Sequence, residues 1–347
     1  MDFKKSITIG SYIISEESAV FIIAEAGVNH GGNISIAKEL VDIAKEAQAN
    51  AVKFQTFKTD NLILKNVAKA EYQQRTTDAK ETQYDMLKKL ELTKEQNLEL
   101  KAYCEKNDIL FLSTPFDEDS LNHLEELNIP AYKIASTDLT NLPFLRKVAL
   151  KKKPIFLSTG MAYLTEVNMA LKEINSVNDE VILLQCTANY PIKNKEANLA
   201  VLNTYKDNFS ILLGYSDHSV GIGAAPYSIP MGVKVVEKHF TIQKDSDGPD
   251  HRASLSPNEL KEFVKEIRKV EEFMGTNLKA PSLSEIGTRA SLQKSIVAKK
   301  TIKKGDIITE KNITTKRTGG IGISPIYWNQ IVGTISQKNY KEDDIIC

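Results

Sequence analysis

Two histidines close two successive apolar runs of this chain, His218 in ILLGYSDHS and His239 in VKVVEKHF. In a strand alternate side chains share a face. Gly214, Ser216 and His218 therefore point one way, and Val235, Glu237 and His239 do the same. If both faces turn inward, two neutral imidazoles meet and can hold one divalent ion while leaving positions for water and substrate. A lone histidine at a strand end is more often a hydrogen-bonded core residue. Two on neighbouring strand ends, near Glu237 and Asp217, favour the metal. Lys53, in NAVKFQTF, and Lys133, in AYKIAST, end two further runs, and Thr114, Ser136, Ser158 and Ser216 stand at the ends of others. Ammonium groups among hydroxyls suit a small anion such as a phosphate or carboxylate. The same lysines leave open a Schiff-base aldolase. The segment DSDGPDHR, residues 245–252, contains a rigid Gly-Pro turn. That turn either aims Asp250 over the pocket or is an ordinary acidic turn.

These residues need a scaffold that gathers strand ends. Eight short apolar runs, FIIAEAGVNH, NAVKFQTF, ILFLSTP, AYKIAST, PIFLSTG, VILLQCTANYP, ILLGYSDHS and VKVVEKHF, each end in a polar cluster. Amphipathic helical stretches separate them. That order predicts an α/β fold, a (β/α)8 TIM barrel with its active site at the C-terminal ends of the strands. Residues 1–20 read as a leading hairpin bordering or plugging the lower end. Helices are expected near 35–47, 93–107, 118–127, 141–150, 164–175, 197–206 and 257–274, with a capping box formed by Thr93 and Gln96. The connection 58–92 is unusually long, and long loops on this face shape substrate sites. The barrel is expected to occupy 1–275 and a linker 276–290. A small β-rich domain with short helices is expected at 291–347, where short β runs alternate with Lys/Gly turns.

Composition narrows the function. The 347 residues carry 45 Lys plus Arg against 45 Asp plus Glu, so no net field attracts nucleic acid or an acidic membrane surface. The three cysteines, Cys104, Cys186 and Cys347, form no CxxC pair and indicate neither a disulfide framework nor a structural zinc. No run approaches the roughly 18 apolar residues of a membrane span, and the N-terminus lacks an apolar signal core. The expected location is the cytoplasm.

The combination AEAGVNHGG, KFQTF, STPFDEDS, YKIAS, STGM, YSDHS, EKHF and GPDHRASL resembles the sialic acid synthase family of N-acetylneuraminate, legionaminate and pseudaminate synthases. The tail TIKKGDIITEKNITTKR…GISP is similar to its antifreeze-like domain. The resemblance implies condensation of phosphoenolpyruvate with an N-acylated mannose-type sugar, giving a nonulosonic acid and phosphate. It also implies Mn2+ or a similar divalent ion (Mg2+ or Co2+) and a domain-swapped homodimer. By the same resemblance His218 and His239 are the metal ligands. Lys53, Thr114, Lys133, Ser136, Ser158 and Ser216 contact phosphoenolpyruvate, and Gln55, Tyr190 and Asp250 surround the acceptor sugar. Glu25 is a carboxylate near the reacting centre, Asp138 keeps an acidic role, and Arg317 is delivered to the neighbouring subunit's barrel. Ala188 stands where some members place an Asn, and Thr318-Gly319 follow Arg317 where Pro is usual. Two rival readings are a metal-dependent barrel hydrolase and a non-enzymatic sugar- or ice-binding protein, the second of which leaves the strand-end cluster unexplained.

Overall fold

The computed structural model of the chain describes residues 1–70, 73–74, 77–78 and 80–347. It consists of two compact units, Met1–Gly275 and Thr276–Cys347. The first begins with a hairpin, β1 (Ser6–Ile9) and β2 (Tyr12–Ser15), paired antiparallel. Eight strands follow: β3 (Phe21–Gly27), β4 (Ala51–Thr56), β5 (Leu110–Pro115), β6 (Tyr132–Ile134), β7 (Ile155–Ser158), β8 (Val181–Cys186), β9 (Leu212–Asp217) and β10 (Val233–His239). All pair in parallel in chain order, and β10 closes on β3 to complete the barrel. Nearly continuous apolar runs suit such strands, because the helices bury one face and the barrel interior the other.

Helices occupy Ile34–Glu46, Lys94–Lys106, Glu118–Glu126, Leu142–Leu150, Leu164–Asn175, Val201–Asn208 and Pro257–Met274, close to the expected spans. The Thr93 hydroxyl accepts from the Gln96 N–H at 3.2 Å and Gln96 Oε1 accepts from the Thr93 N–H at 2.8 Å, forming the expected capping box. After β9 the GIGAAPYSIPMG segment makes only one short turn of helix, Ala225–Ser228, followed by a 3-10 turn.

Alternation along the strands builds two cores. Outward residues such as Ile22, Val52, Leu183 and Val236 pack beneath the helices. Inward residues Phe21, Ile23, Ala51, Leu112, Phe156, Ile182 and Val235 fill the lower barrel, and Ile7, Ile9 and Ile14 of the hairpin join that cluster as its plug. The same inward rows continue upward into polar residues, so the apolar floor is what supports the site. In the long connection, short helices Thr59–Leu62 and Gln83–Lys88 are tied together by a third small core, Val28, Phe57, Met86 and Leu90. Positions 71, 72, 75, 76 and 79 of that connection lie outside the described residues.

In the second unit, β11 (Lys294–Ala298) pairs antiparallel with β12 (Ile313–Arg317). Its core is Ile296, Ala298, Ile302, Ile308, Ile313, Tyr340 and Ile346, with Trp328 packed against it. A helix runs from Leu283 to Leu292, starting in the stretch expected as a linker and ending just past it. No helix among the described residues is long and apolar enough to cross a membrane.

Candidate active site

A cavity of 410 Å³ opens at the C-terminal ends of the barrel strands. It is lined by Glu25, Lys53, Gln55, Thr114, Lys133, Ser136, Ser158, Tyr190, Ser216, His218, His239 and Asp250, residues from all eight strands or the loops that follow them. One rule places most of them: each follows the inward apolar residues of its own strand by two positions, as Glu25 follows Ile23 and Lys53 follows Ala51. Gly27 permits the end of β3 to bend. Its φ is +54°, a conformation that favours glycine, and the pairing with β4 shifts register there.

The floor is a buried charge cluster. Lys53 Nζ stands 2.8 Å from Glu25 Oε2 and 3.7 Å from Glu237 Oε2, and donates to Thr114 Oγ1 at 3.1 Å. Lys133 Nζ stands 3.5 Å from Glu237 Oε1, which also accepts from Ser216 Oγ at 3.2 Å. Gln55 Nε2 donates to Glu25 Oε1 at 3.2 Å. Two ammonium groups thus face two carboxylates, which is how charges are kept in so dry a place. Burial opposes the charge on Lys53, but Glu237 and Glu25 outweigh it and hold its pKa above the ordinary value. Burial pushes Lys133 down, with Glu237 only partly opposing. The two carboxylates cannot ionise equally beside one ammonium. Burial also opposes the charge on Glu237, yet Lys133 and Lys53 hold it below the ordinary range. Burial carries Glu25 up to about 7, against the pull of Lys53. Glu25, although nearer to Lys53, is the group poised to exchange a proton near neutrality.

At one side of this floor the two imidazoles meet, ring centroids 5.6 Å apart, with Tyr190 over His218 at 4.1 Å. His218 Nδ1 donates to the Thr187 carbonyl at 2.7 Å, and its Nε2, with Ser216 Oγ at 3.5 Å, turns to the cavity side. His239 Nδ1 is buried without a hydrogen-bond partner, and Asp250 Oδ2 lies 3.9 Å away, beyond hydrogen-bonding reach. Burial, with the positive groups around it, keeps His239 well below the ordinary histidine pKa and therefore neutral. Burial also lifts the Asp250 carboxyl to about 6. Two imidazole lone pairs and a nearby carboxyl fit a divalent cation. Among the described residues no trio of His, Cys, Asp or Glu closes into a ready-made centre, so such an ion would draw its other ligands from water or substrate.

Asp138 lies outside the cavity lining, in the 3-10 turn Ser136–Asp138, where its carboxylate accepts from Asn141 Nδ2 at 3.1 Å. Past the end of β6 at Ile134, the carboxylate braces Asn141, which caps the next helix. Arg317 ends β12 in the second unit, followed by a loop with Gly319, Gly320 and Gly322 at positive φ. Glu237 and Cys186, absent from the expected site set, both line the cavity. Alternation with His239 and with Leu184 carries the signal for each, and Glu237 is the group that joins the two lysines.

A second buried pair sits behind the histidines. Asp217 and Lys238, each next in sequence to one of them, face outward from neighbouring strand ends with Lys238 Nζ 3.1 Å from Asp217 Oδ2. Asp217 also accepts from the N–H groups of Ser219, Ala224 and Ala225, pinning the loop after β9. Gly223 makes room, since a Cβ there would stand 2.0 Å from Ser219 Oγ. Lys238→Met leaves Asp217 buried without its cation and is expected to cost about 3–5 kcal/mol of stability. Urea unfolding measures it, and an unchanged midpoint would contradict this account of the pair.

The same chain matches, over residues 40–279, the model of the NeuB family and, over residues 293–346, that of the SAF domain. It is 45% identical over 328 residues to N,N'-diacetyllegionaminic acid synthase of Campylobacter jejuni, covering 94% of this chain and 98% of that protein. It is 44% identical over 324 residues to the protein of that name from Legionella pneumophila, covering 92% of this chain and 91% of that one. The crystal structure of an N-acetylneuraminic acid synthetase from Leptospira borgpetersenii, in complex with citrate, superposes with a TM-score of 0.73 at 34% identity, covering 84% of this chain and 98% of that one. A closed eight-stranded barrel with this strand-end site, followed by a small antiparallel domain, therefore belongs to the NeuB family and carries a C-terminal SAF domain.

Proposed function

We infer that this enzyme condenses phosphoenolpyruvate with the open-chain form of an N-acylated mannose-type sugar, releasing a nonulosonic acid and inorganic phosphate. The observation that carries the reading is the juxtaposition of Lys53 and Lys133, among Thr114, Ser136, Ser158 and Ser216, with the His218–His239 pair in one buried cavity. An anion with two acidic groups and a carbonyl electrophile need these two surfaces side by side.

In this reading the lysines and hydroxyls bind the phosphate and carboxylate of phosphoenolpyruvate, and Glu237 fixes the ammonium positions. His218 and His239 hold a divalent ion, Mn2+ in our proposal, which supplies Lewis-acid polarisation of the aldehyde oxygen. Gln55, Tyr190 and Asp250 orient the sugar. The enol carbon bonds to the aldehyde carbon, whose oxygen takes the C=O π electrons; water adds to the neighbouring carbon, phosphate leaves with the C–O bond electrons as that carbon becomes a keto group, and the two protons of the water end on the new hydroxyl and on phosphate. Glu25 takes the proton of that water, a task suited to a carboxyl poised near neutrality. Holding both reactants in one dry cavity removes much of the entropic barrier to their meeting.

The test is phosphate release with a divalent ion and each substrate alone or together. Release only in the presence of both supports condensation. Release from phosphoenolpyruvate alone would favour the hydrolase, and a borohydride-trapped lysine adduct would favour the Schiff-base aldolase.

We also propose, from the family resemblance, that Arg317 completes the cavity of a partner copy in a swapped homodimer. Arg317→Ala and His239→Ala chains, each inactive alone, are expected to recover part of the activity when mixed and allowed to exchange subunits. Proven exchange without recovery would refute action in trans.

A further inference from the structure

Asn29 stands two residues beyond the end of β3 and is buried, yet it does not itself line the cavity. Its Nδ2 donates to the Phe240 carbonyl at 2.8 Å and to Ser254 Oγ at 3.0 Å. A carbonyl only accepts, so turning the amide round would set oxygen against oxygen. Ser254 Oγ donates in turn to the Asp250 carbonyl at 2.7 Å. The hydroxyl receives one hydrogen bond and passes one on, which makes a one-way relay from the end of β3 to the loop that carries Asp250. Asn29 Oδ1 is buried without a hydrogen-bond partner. Leaving that oxygen unpaired costs stability, so what the amide contributes here is its two N–H bonds.

Both bonds end beside site residues. Phe240 follows His239, and its N–H donates to the Glu25 carbonyl at 3.0 Å. Leu255 follows Ser254, and its N–H donates to the His239 carbonyl at 2.9 Å, while the Thr241 N–H donates to the Leu255 carbonyl at 2.9 Å. Thr241 Oγ1 and His251 Nδ1, 2.7 Å apart, close the base of the loop. Between those anchors the chain contains the 3-10 turn His251–Ala253, and Pro249 and Asp250 reach the cavity just before it. The relay ties the backbone of Asp250 itself to β3. The Asp250 carboxyl stands 3.9 Å from His239 Nδ1, and a misplacement of about 1 Å can cost on the order of 100-fold in rate.

We propose that Asn29, acting through Ser254, is a positioning residue for the condensation: it fixes Asp250 beside the His218–His239 pair and so holds the acceptor sugar in line with phosphoenolpyruvate. The inference rests on the condensation reading above.

Ser254→Ala removes the arm to Asp250 and leaves Asn29 on Phe240, whereas Asn29→Ala removes both arms. The acceptor is N-acetylmannosamine or 2,4-diacetamido-2,4,6-trideoxymannose, whichever the wild-type enzyme turns over with phosphoenolpyruvate and Mn2+. For that sugar kcat/KM is expected to fall about 10-fold in Ser254→Ala and about 100-fold in Asn29→Ala, while KM for phosphoenolpyruvate stays unchanged. Adding Ser254→Ala to Asp250→Asn is expected to cost nothing further, since the relay acts through that carboxyl. Amide hydrogen exchange over residues 241–255 is expected to quicken in both relay variants, with exchange in β5 to β8 unaltered. Wild-type sugar kinetics in Ser254→Ala, a loss that falls equally on both substrates, a fully additive loss on top of Asp250→Asn, or unchanged loop exchange overturns the proposal and leaves the condensation standing, even where Asn29→Ala does not fold. Turnover of neither sugar by the wild-type enzyme refutes the condensation and the proposal with it.

Discussion

His239→Ala is expected to lower the rate of phosphate release by on the order of 10³-fold while leaving the barrel folded. Lewis-acid polarisation of a carbonyl contributes several kcal/mol, and each 1.36 kcal/mol is tenfold in rate. Burial holds the imidazole well below its ordinary pKa and its buried Nδ1 lacks a hydrogen-bond partner, so its loss breaks no internal hydrogen bond at that atom and, on the proposed reading, removes a metal ligand. Its backbone remains in β10, paired with β3. The measurement joins steady-state rate, Mn2+ binding by calorimetry, and a thermal melt. Loss of both rate and Mn2+ affinity with an unchanged melt is the expected result. Full activity in the variant, or in exhaustively chelated wild-type protein, would remove the metal from the account. His218→Ala is expected to behave alike, because the two rings meet edge to face with centroids 5.6 Å apart.

Lys53→Met is expected to be as damaging to activity and, unlike the histidine variant, to reduce stability. Removing the ammonium leaves Glu25 and Glu237 buried beside each other with only Lys133 near, a cost of about 3–5 kcal/mol for breaking a buried pair. It also removes a donor aimed at the bound anion, so the fall in kcat/KM for phosphoenolpyruvate is expected to be on the order of 10³-fold. The double variant Lys53→Met with Glu25→Gln separates the roles. It relieves one uncompensated charge, so most of the lost stability should return, but activity should not. Recovery of activity together with stability would make Lys53 a structural lysine. Failure of the double variant to regain any stability would show that the ion pair does not carry the energy assigned to it.

The order of the eight apolar runs, with amphipathic stretches between them, was sufficient for the barrel, because helix and strand periods are local properties of the chain. Strand alternation likewise put Lys53 with Gln55, Ser216 with His218 and Glu237 with His239 on common faces, since that geometry depends only on spacing along one strand. Alternation gives no placement beyond a strand's end: β6 is only three residues long, and Asp138 beyond it sits in a 3-10 turn with its carboxylate on Asn141. Which inward groups meet across the barrel is not a local property. Glu237 bridging Lys53 and Lys133, and the division of charge between Glu237 and Glu25, require three separate strands to converge in a medium that excludes water. The small core of the long connection is likewise a tertiary fact. The run 58–92 reads as polar in sequence, but Lys58 pairs with Asp119, Lys88 with Asp60 and Lys69 with Glu81. Its few apolar side chains turn inward to a small shared core, because only there can they leave water. Sequence alone thus determined the scaffold and the kinds of groups at its rim. Only closure of the barrel and folding of that loop decided which of them share a charge and which meet around one cavity.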